Sequence, residues 1–399
     1  MVAHLVRLLG PSYLSLAEEA VQQSMVRALE SWPYQGVPPN AEAWLFRVAH
    51  NLAIDAVRRD RFLGARSDDI VAGLARSAAA DPADPDLEER LRDDELRMIF
   101  MCCHPEIARE SGVALALKIC CGFSVREIAR AFLAEESAIA QRLVRAKRQI
   151  QERRLSLDMP HGADLQSRLD LVLEVLYFLF NEGYAAHEGD SLVRRDFCME
   201  ALRLARLVAE SSLNAPRVDA LVALMALQAA RGPARVDDFG DLIPLDQQDR
   251  GLWDQQLLAL GFHHFDRSIA GDTVSEYHAQ AAIAATHARS AGAASTDWPM
   301  ILELYDHLLT LNGSPIVVLN RAVALSKVHG AAAALAAIEP LSADAKLRDY
   351  YLLMALRGHL LLSLGRPSAA ADSFRAALEC RCSEPERRFL TRKIAECEM

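Results

Sequence analysis

The spacing of apolar residues between Phe123 and Arg154, FSVREIARAFLAEESAIAQRLVRAKRQIQERR, restricts this stretch to two helices joined by a tight turn. Ser124 can cap a first helix running to Phe132, with Glu127 three residues on in capping-box position, and Leu133–Glu135 forms the break. A second helix then begins near Glu136. On it Ile139, Leu143, Ala146 and Ile150 recur at four, three and four and share one face, while Gln141, Arg145 and Arg148 lie opposite with Arg142 beside them. From Ser137 to Arg154 there are six Lys or Arg against one Glu, in a chain whose net charge is -10. That local reversal of sign makes nucleic acid the natural counterion, with a solvated basic face as the ordinary alternative.

The rest of the chain fits a helical frame. Its 399 residues suggest two or three domains, and 51% hydrophobic with 25% charged residues is enough to build substantial cores. Ala, Leu, Arg and Glu dominate and β-branched runs are scarce, so the expected fold class is all-α. No run of about 18 apolar residues and no charged-then-apolar leader is seen, so the expectation is a cytoplasmic protein with no membrane partner. Eight cysteines include Cys102-Cys103-His104, but without a CxxC spacing. In LRMIFMCCHPEIA they fit small hydrophobes of a buried helix better than metal ligands, so no metal and no cofactor are expected.

Taken in order, Val2–Leu9 is a short apolar helix ended by Gly10-Pro11. Leu16–Trp32 is a second, with Val21, Met25, Ala28 and Trp32 turned inward and Gln22, Gln23 and Arg27 on its other face. The connector PYQGVPPN, with three prolines and a glycine, should not be helical, and Asn40 can cap a third helix starting at Ala41. In AEAWLFRVAHNLAIDAVRRD the expected buried stripe is Leu45, Val48, Ala49, Leu52 and Ala56. Trp44, Arg47, Asn51 and Arg58 then line the far side. An aromatic among arginines and an amide can stack on unpaired bases and hold phosphates; it can equally cover the edge of a small core.

The order RALESWP, a proline-rich loop, AWLFRVAHNLAIDAVRR, an acidic spacer and FSVREIARAFLAEESAIAQRLVRAKRQI closely resembles regions 2 and 4 of bacterial RNA polymerase sigma factors of the extracytoplasmic-function type. The resemblance covers about Met1–Arg154, and its first helix starts almost at Met1, which leads to the expectation of a shortened region 2. It implies core RNA polymerase and promoter DNA as partners. Gln22, Gln23 and Arg27 would contact core polymerase. Gln35 to Asn40 would capture a flipped base of the minus-ten element, and Trp44, Arg47, Asn51, Arg58 and Arg59 would face the melting strand. Ser137, Ala138, Gln141, Arg142, Arg145 and Arg148 would read the minus-35 element. The expected domains are region 2 over 1–66, an acidic linker over 67–95, region 4 over 96–156 and a helical domain over 157–399. The linker carries ten acidic residues against three arginines between Ser67 and Glu95, and an acidic strand of this kind can occupy a basic cleft of the polymerase.

After a hinge at Leu157–Gly162 the sequence changes character. In Tyr350–Pro385, Gly358, Leu364-Gly365, Ala370, Phe374, Ala377 and Pro385 approximate the tetratricopeptide pattern, and Ala322 and Ala334 hold related places upstream. Asn181, Glu182, Tyr184, Asp249, Arg250, Trp253, Asp297, Trp298, Asn320 and Arg321 can form the polar wall of a groove or serve as buried networks locking helix pairs, the second being favoured. A regulatory protein or peptide is the expected occupant of the groove. No arrangement for nucleophilic or metal-assisted catalysis stands out, so no enzyme activity is expected. The layout resembles a sigma subgroup whose fused C-terminal domain regulates activity. A one-component helix-turn-helix regulator and a repeat-protein scaffold are the alternatives.

Overall fold

In the computed structural model the described residues are 1–59, 87–132, 134–155, 157, 163–184, 195–211, 213–237, 239–271, 273–344, 347, 349–380 and 382–398. They are helical throughout, without a β-strand among them beyond one isolated bridge between Val236 and Leu242. The chain divides into two compact units, Met1–Val175 and Leu176–Met399.

The first unit begins with α1 (Val2–Leu9), α2 (Leu14–Gln35) and α3 (Ala41–Arg59). On α2 the buried stripe is Leu14, Ala17, Ala20, Val21, Ser24 and Ala28, so mostly small side chains face α3 and let the two backbones approach. Met25, expected inward, is instead exposed, because the small-residue stripe rather than the larger residues faces the partner. The helix also continues through Pro33 to Gln35. A proline so close to the end forfeits one helical hydrogen bond, and the Gly36 N–H closes the turn on Trp32 O at 2.9 Å with φ at 80°.

On α3 the expected stripe is rotated. Ala43, Phe46, His50, Ala53 and Val57 are buried, whereas Leu45, Val48 and Ala56 are half-buried; Ala49 and Leu52 are inside as expected. The cause is a buried histidine: His50 lies 5.8 Å from the Phe46 ring, which meets His4 of α1 edge-on at 5.0 Å. Counting His50 as polar hid the true face. Asn40 does cap the helix, accepting from the Ala43 N–H at 2.9 Å.

Next come α4 (Leu87–Cys102), α5 (Arg109–Ile119), α6 (Val125–Ala131) and α7 (Glu136–Arg153). Residues 60–86, which hold most of the acidic spacer, lie outside the described residues, as do 158–162 of the expected hinge. Leu87–Glu95, read from sequence as linker, is the first half of α4. Its Asp94 is buried, bonded by His4 Nδ1 at 2.7 Å and Arg7 Nε at 2.9 Å, which ties α4 to α1. All eight cysteines are free thiols, Cys102 and Cys103 buried among them, and burial above all holds the Cys103 thiol well above its usual range.

Helix α8 (Ala163–Tyr184) enters both units, with Leu169, Val172 and Leu173 fully buried and Glu174 paired to Arg109 at 2.6 Å. The compact division therefore falls inside α8, with the second unit starting at Leu176 where the sequence suggested 157.

In the second unit, α9 (Arg195–Glu210), α11 (Gln255–Ser268) and α12 (Glu276–Arg289) pack around α10 (Pro216–Ala229), whose residues Val218 to Leu227 are all buried. A buried network joins α10 to α11: Asp219 accepts from His264 Nδ1 at 2.6 Å and from Asn214 Nδ2 at 3.1 Å. The chain then runs as successive packed pairs through α13 (Trp298–Leu311), α14 (Pro315–His329), α15 (Ala331–Ile338), α16 (Tyr351–Ser363), α17 (Pro367–Glu379) and α18 (Glu384–Glu398). Ala322 and Ala334 share one core with Leu319 and Ile338, and Ala370, Phe374 and Ala377 share another with Tyr351 and Leu390. Gly358 lets α16 and α17 meet, since a Cβ there would sit 2.7 Å from the Phe374 ring.

Candidate nucleic-acid and polymerase interface

The helix pair α6–α7 carries the most explicit local design. The Ser124 N–H donates to Glu127 Oε2 at 2.7 Å and the Glu127 N–H donates to Ser124 Oγ at 3.1 Å, a reciprocal capping box at the start of α6. On α7, Ile139, Leu143, Ala146 and Ile150 are buried, the four positions read from the sequence. Their burial leaves Gln141, Val144, Arg145 and Arg148 along the opposite, exposed face, with Ser137 exposed one turn earlier and Ala138 half-buried. Val144, 66% exposed, was not among the expected readers because an apolar residue on a helix is read as core by default. Its i, i+3, i+4 relation to Gln141 and Arg148 was the signal that could have found it.

The arginines of α7 are committed to different degrees. Arg142 is paired with Glu110 of α5 at 2.7 Å and lies over the Phe132 ring at 5.9 Å, so it braces the turn. Arg148 pairs with Glu152 one turn on, at 2.7 Å. Arg145 forms no ion pair among the described residues, which makes it the most available cation of the outer face. Lys147, on the flank, reaches Glu18 of α2 at 2.6 Å.

The expected minus-ten residues fall along the end of α2 and one side of α3. Gln35, Asn40, Arg47, Asn51, Arg58 and Arg59 are exposed, and Trp44 is half-buried, meeting Trp32 edge-on at 5.5 Å. Trp44 therefore covers the edge of the α2–α3 core with one side and faces outward with the other. Gln22, Gln23 and Arg27 are exposed on α2, and beside them an apolar ridge of Met25, Val26 and Leu29 stands in solvent, Leu29 at 77%. Sequence reading missed that ridge: it turned Met25 inward and assigned neither Val26 nor Leu29.

Of the expected C-terminal groove residues, Asp249 and Asp297 are helix caps, accepting from the Gly251 and Met300 N–H groups. Asn320 is exposed on α14, and Arg321 pairs with Asp306 at 2.5 Å. Arg250 and Trp253 lie together, the guanidinium 5.3 Å from the indole centroid, and Trp298 meets His287 at 5.4 Å. Tyr184 is covered by the Arg235 guanidinium at 3.9 Å, Asn181 lies within hydrogen-bonding reach of Tyr177, and Glu182 is buried. Among the described residues no cluster of His, Cys, Asp and Glu is arranged to hold a metal, and no helix is long and apolar enough to cross a membrane.

An N-terminal set of helices with an exposed apolar and cationic surface is followed by a capped helix pair with a basic face. Residues 1–62 match the Sigma-70 region 2 family, which gives the chain a sigma-factor-like role in transcription initiation with core RNA polymerase and promoter DNA as partners. Residues 168–269 match a family of unknown function (DUF6596). The chain is 39% identical over 387 residues to an uncharacterized protein of Rhizobium meliloti (strain 1021), spanning 96% of this chain and 90% of that one, and belongs to the same family. No solved structure matches it.

Proposed function

We propose that the protein is a sigma factor of the extracytoplasmic-function type, in which α2 docks on core polymerase, α3 engages the melted minus-ten strand and α7 reads the minus-35 element. The carrying observation is the outer face of α7. Its buried stripe and the capping box on α6 present Gln141, Val144, Arg145 and Arg148 to solvent at helical spacing, downstream of a Sigma-70 region 2 domain. An arginine and an amide suit guanine and adenine edges, and an exposed valine suits a thymine methyl. On α2, the apolar ridge Met25–Leu29 flanked by Gln22, Gln23 and Arg27 has the make-up of an interface: an apolar centre with a polar rim.

The second unit acts, in this reading, as a fused tetratricopeptide-like domain that modulates initiation from within the chain. A tethered domain has a high effective concentration, so a weak contact suffices. The test is reconstitution: the full chain should co-elute with core polymerase and support transcription from a double-stranded promoter. A one-component regulator or a scaffold would bind DNA or protein without either result, and that outcome would refute the proposal.

A further inference from the structure

The second unit gathers cations that no carboxylate among its described residues pairs with. Arg231, at the end of α10, and Arg250, in the turn before α11, lie 5.7 and 5.3 Å from the centroid of one buried indole, Trp253. Arg235 is buried against Tyr184. None of the three arginines forms an ion pair among the described residues.

Two of them are spoken for by backbone. Arg250 donates through Nη1 to His287 O at 2.6 Å and to Ser290 O, and through Nη2 to Thr296 Oγ1 at 3.1 Å, which ties the end of α12 to the turn before α13. Arg235 donates to Tyr184 O at the end of α8. Arg231 differs. Only its Nε is engaged, donating to Gln248 Oε1 at 3.3 Å, so its two terminal nitrogens have no acceptor among the described residues, and they are not sealed from solvent.

Among the described residues the surroundings offer donors and no ion-paired carboxylate. Tyr305 of α13 lies within electrostatic reach of Arg231 and its hydroxyl is bonded to no described residue. Burial above all pushes that phenol up to about 12, so it remains a neutral donor. His287 has a buried Nδ1 with no hydrogen-bond partner, and burial, then Arg231 and Arg250, pushes its imidazole down to about 4. A guanidinium only partly withdrawn from water, with no acceptor for its terminal nitrogens among the described residues, has hydrogen-bonding capacity to spare, and its paired terminal N–H groups match the two oxygens of a carboxylate or phosphate.

We infer that the second unit binds a small-molecule oxyanion, a phosphate or a carboxylate, between the terminal nitrogens of Arg231 and the Tyr305 hydroxyl beside Trp253. Arg231, Tyr305 and His287 were absent from the residues singled out in sequence, and the site stands whether or not the sigma-factor reading holds. Because Trp253 is buried beside the arginine, binding should be visible in its fluorescence.

The test uses the full chain, titrated at constant ionic strength with inorganic phosphate and, in a separate arm, with citrate, against chloride as background. Thermal melting and tryptophan fluorescence are read together. Saturable stabilisation by one of the two oxyanions, with a fluorescence change, is expected, and the arm that responds identifies the class. Arg231→Met, which keeps the aliphatic stem, should weaken binding at least 10-fold, and Tyr305→Phe should weaken it several-fold while leaving the unliganded melt close to wild type. A surface control, Arg206→Met, should bind normally. No saturable response of the wild type to either oxyanion overturns the site. So does a Tyr305→Phe or a folded Arg231→Met protein that binds as tightly as wild type.

Discussion

Arg145, Arg142 and Arg148 share one helix and differ in what each can still do. Arg142 is held by Glu110 and Phe132, Arg148 by Glu152, and Arg145 has no ion pair among the described residues. If α7 reads DNA, Arg145→Ala should weaken promoter binding by about 1–3 kcal/mol and relax preference at one upstream base. Arg142→Ala should act chiefly through stability, because it removes a brace of the turn. Footprints of the holoenzyme with each variant separate the two: an unchanged minus-35 footprint for Arg145→Ala would refute its role as a reader. The same residue-level logic governs Trp44, which meets Trp32 edge-on and is left half-buried.

At the level of elements, single side chains fix how helices meet. Asp94 ties α4 to α1 through His4 and Arg7. Burial pushes its carboxyl up, but the contacts with His4 and Arg7 outweigh that and leave it below the usual 3.8. A carboxyl held lower in the fold than in the unfolded chain adds stability above its ordinary pKa and loses it as the pH falls through the folded value. Asp94→Asn should therefore cost about 2 kcal/mol near neutral pH. The difference from wild type should shrink below about pH 4 and vanish in stronger acid. Urea midpoints measured from pH 7 to pH 2 check both the size and the sign. In the second unit, Gly358→Ala forces a methyl against Phe374 and should cost about 1–3 kcal/mol in thermal unfolding. Gly313→Ala, where nothing lies within 4 Å, should change little.

Across the whole molecule, the position of α8 decides where the chain can be cut. Ending it after Arg154 removes Leu169, Val172 and Leu173, all fully buried, and the Glu174 partner of Arg109. A Met1–Arg154 fragment should accordingly be less stable than Met1–Val175 by several kcal/mol, at about 1.5–3 kcal/mol per fully buried side chain. Circular dichroism melts of the two fragments test this. The longer fragment should retain core-polymerase binding while transcription from a promoter changes relative to the full chain. Unchanged transcription under all conditions would make the second unit a passenger.

The sequence by itself determined the helical class, the α6–α7 pair with its capping box and the inward set Ile139, Leu143, Ala146 and Ile150, because those depend on contacts within a few residues. It also placed Asn40 as a cap, and Ala322, Ala334, Ala370 and Phe374, marked in sequence by a repeat-like spacing, lie in cores. Tertiary structure decided which face of α3 is inside, since a histidine buried beside Phe46, a ring that in turn meets His4 of α1, cannot be told from an exposed one by periodicity. It decided that Met25 stands outside, because the small residues of α2 were needed for close approach to α3. It alone brought Arg231, Trp253, His287 and Tyr305 together from four separate segments. Local spacing fixes which residues share a helix face; which helix that face meets depends on packing between segments distant along the chain.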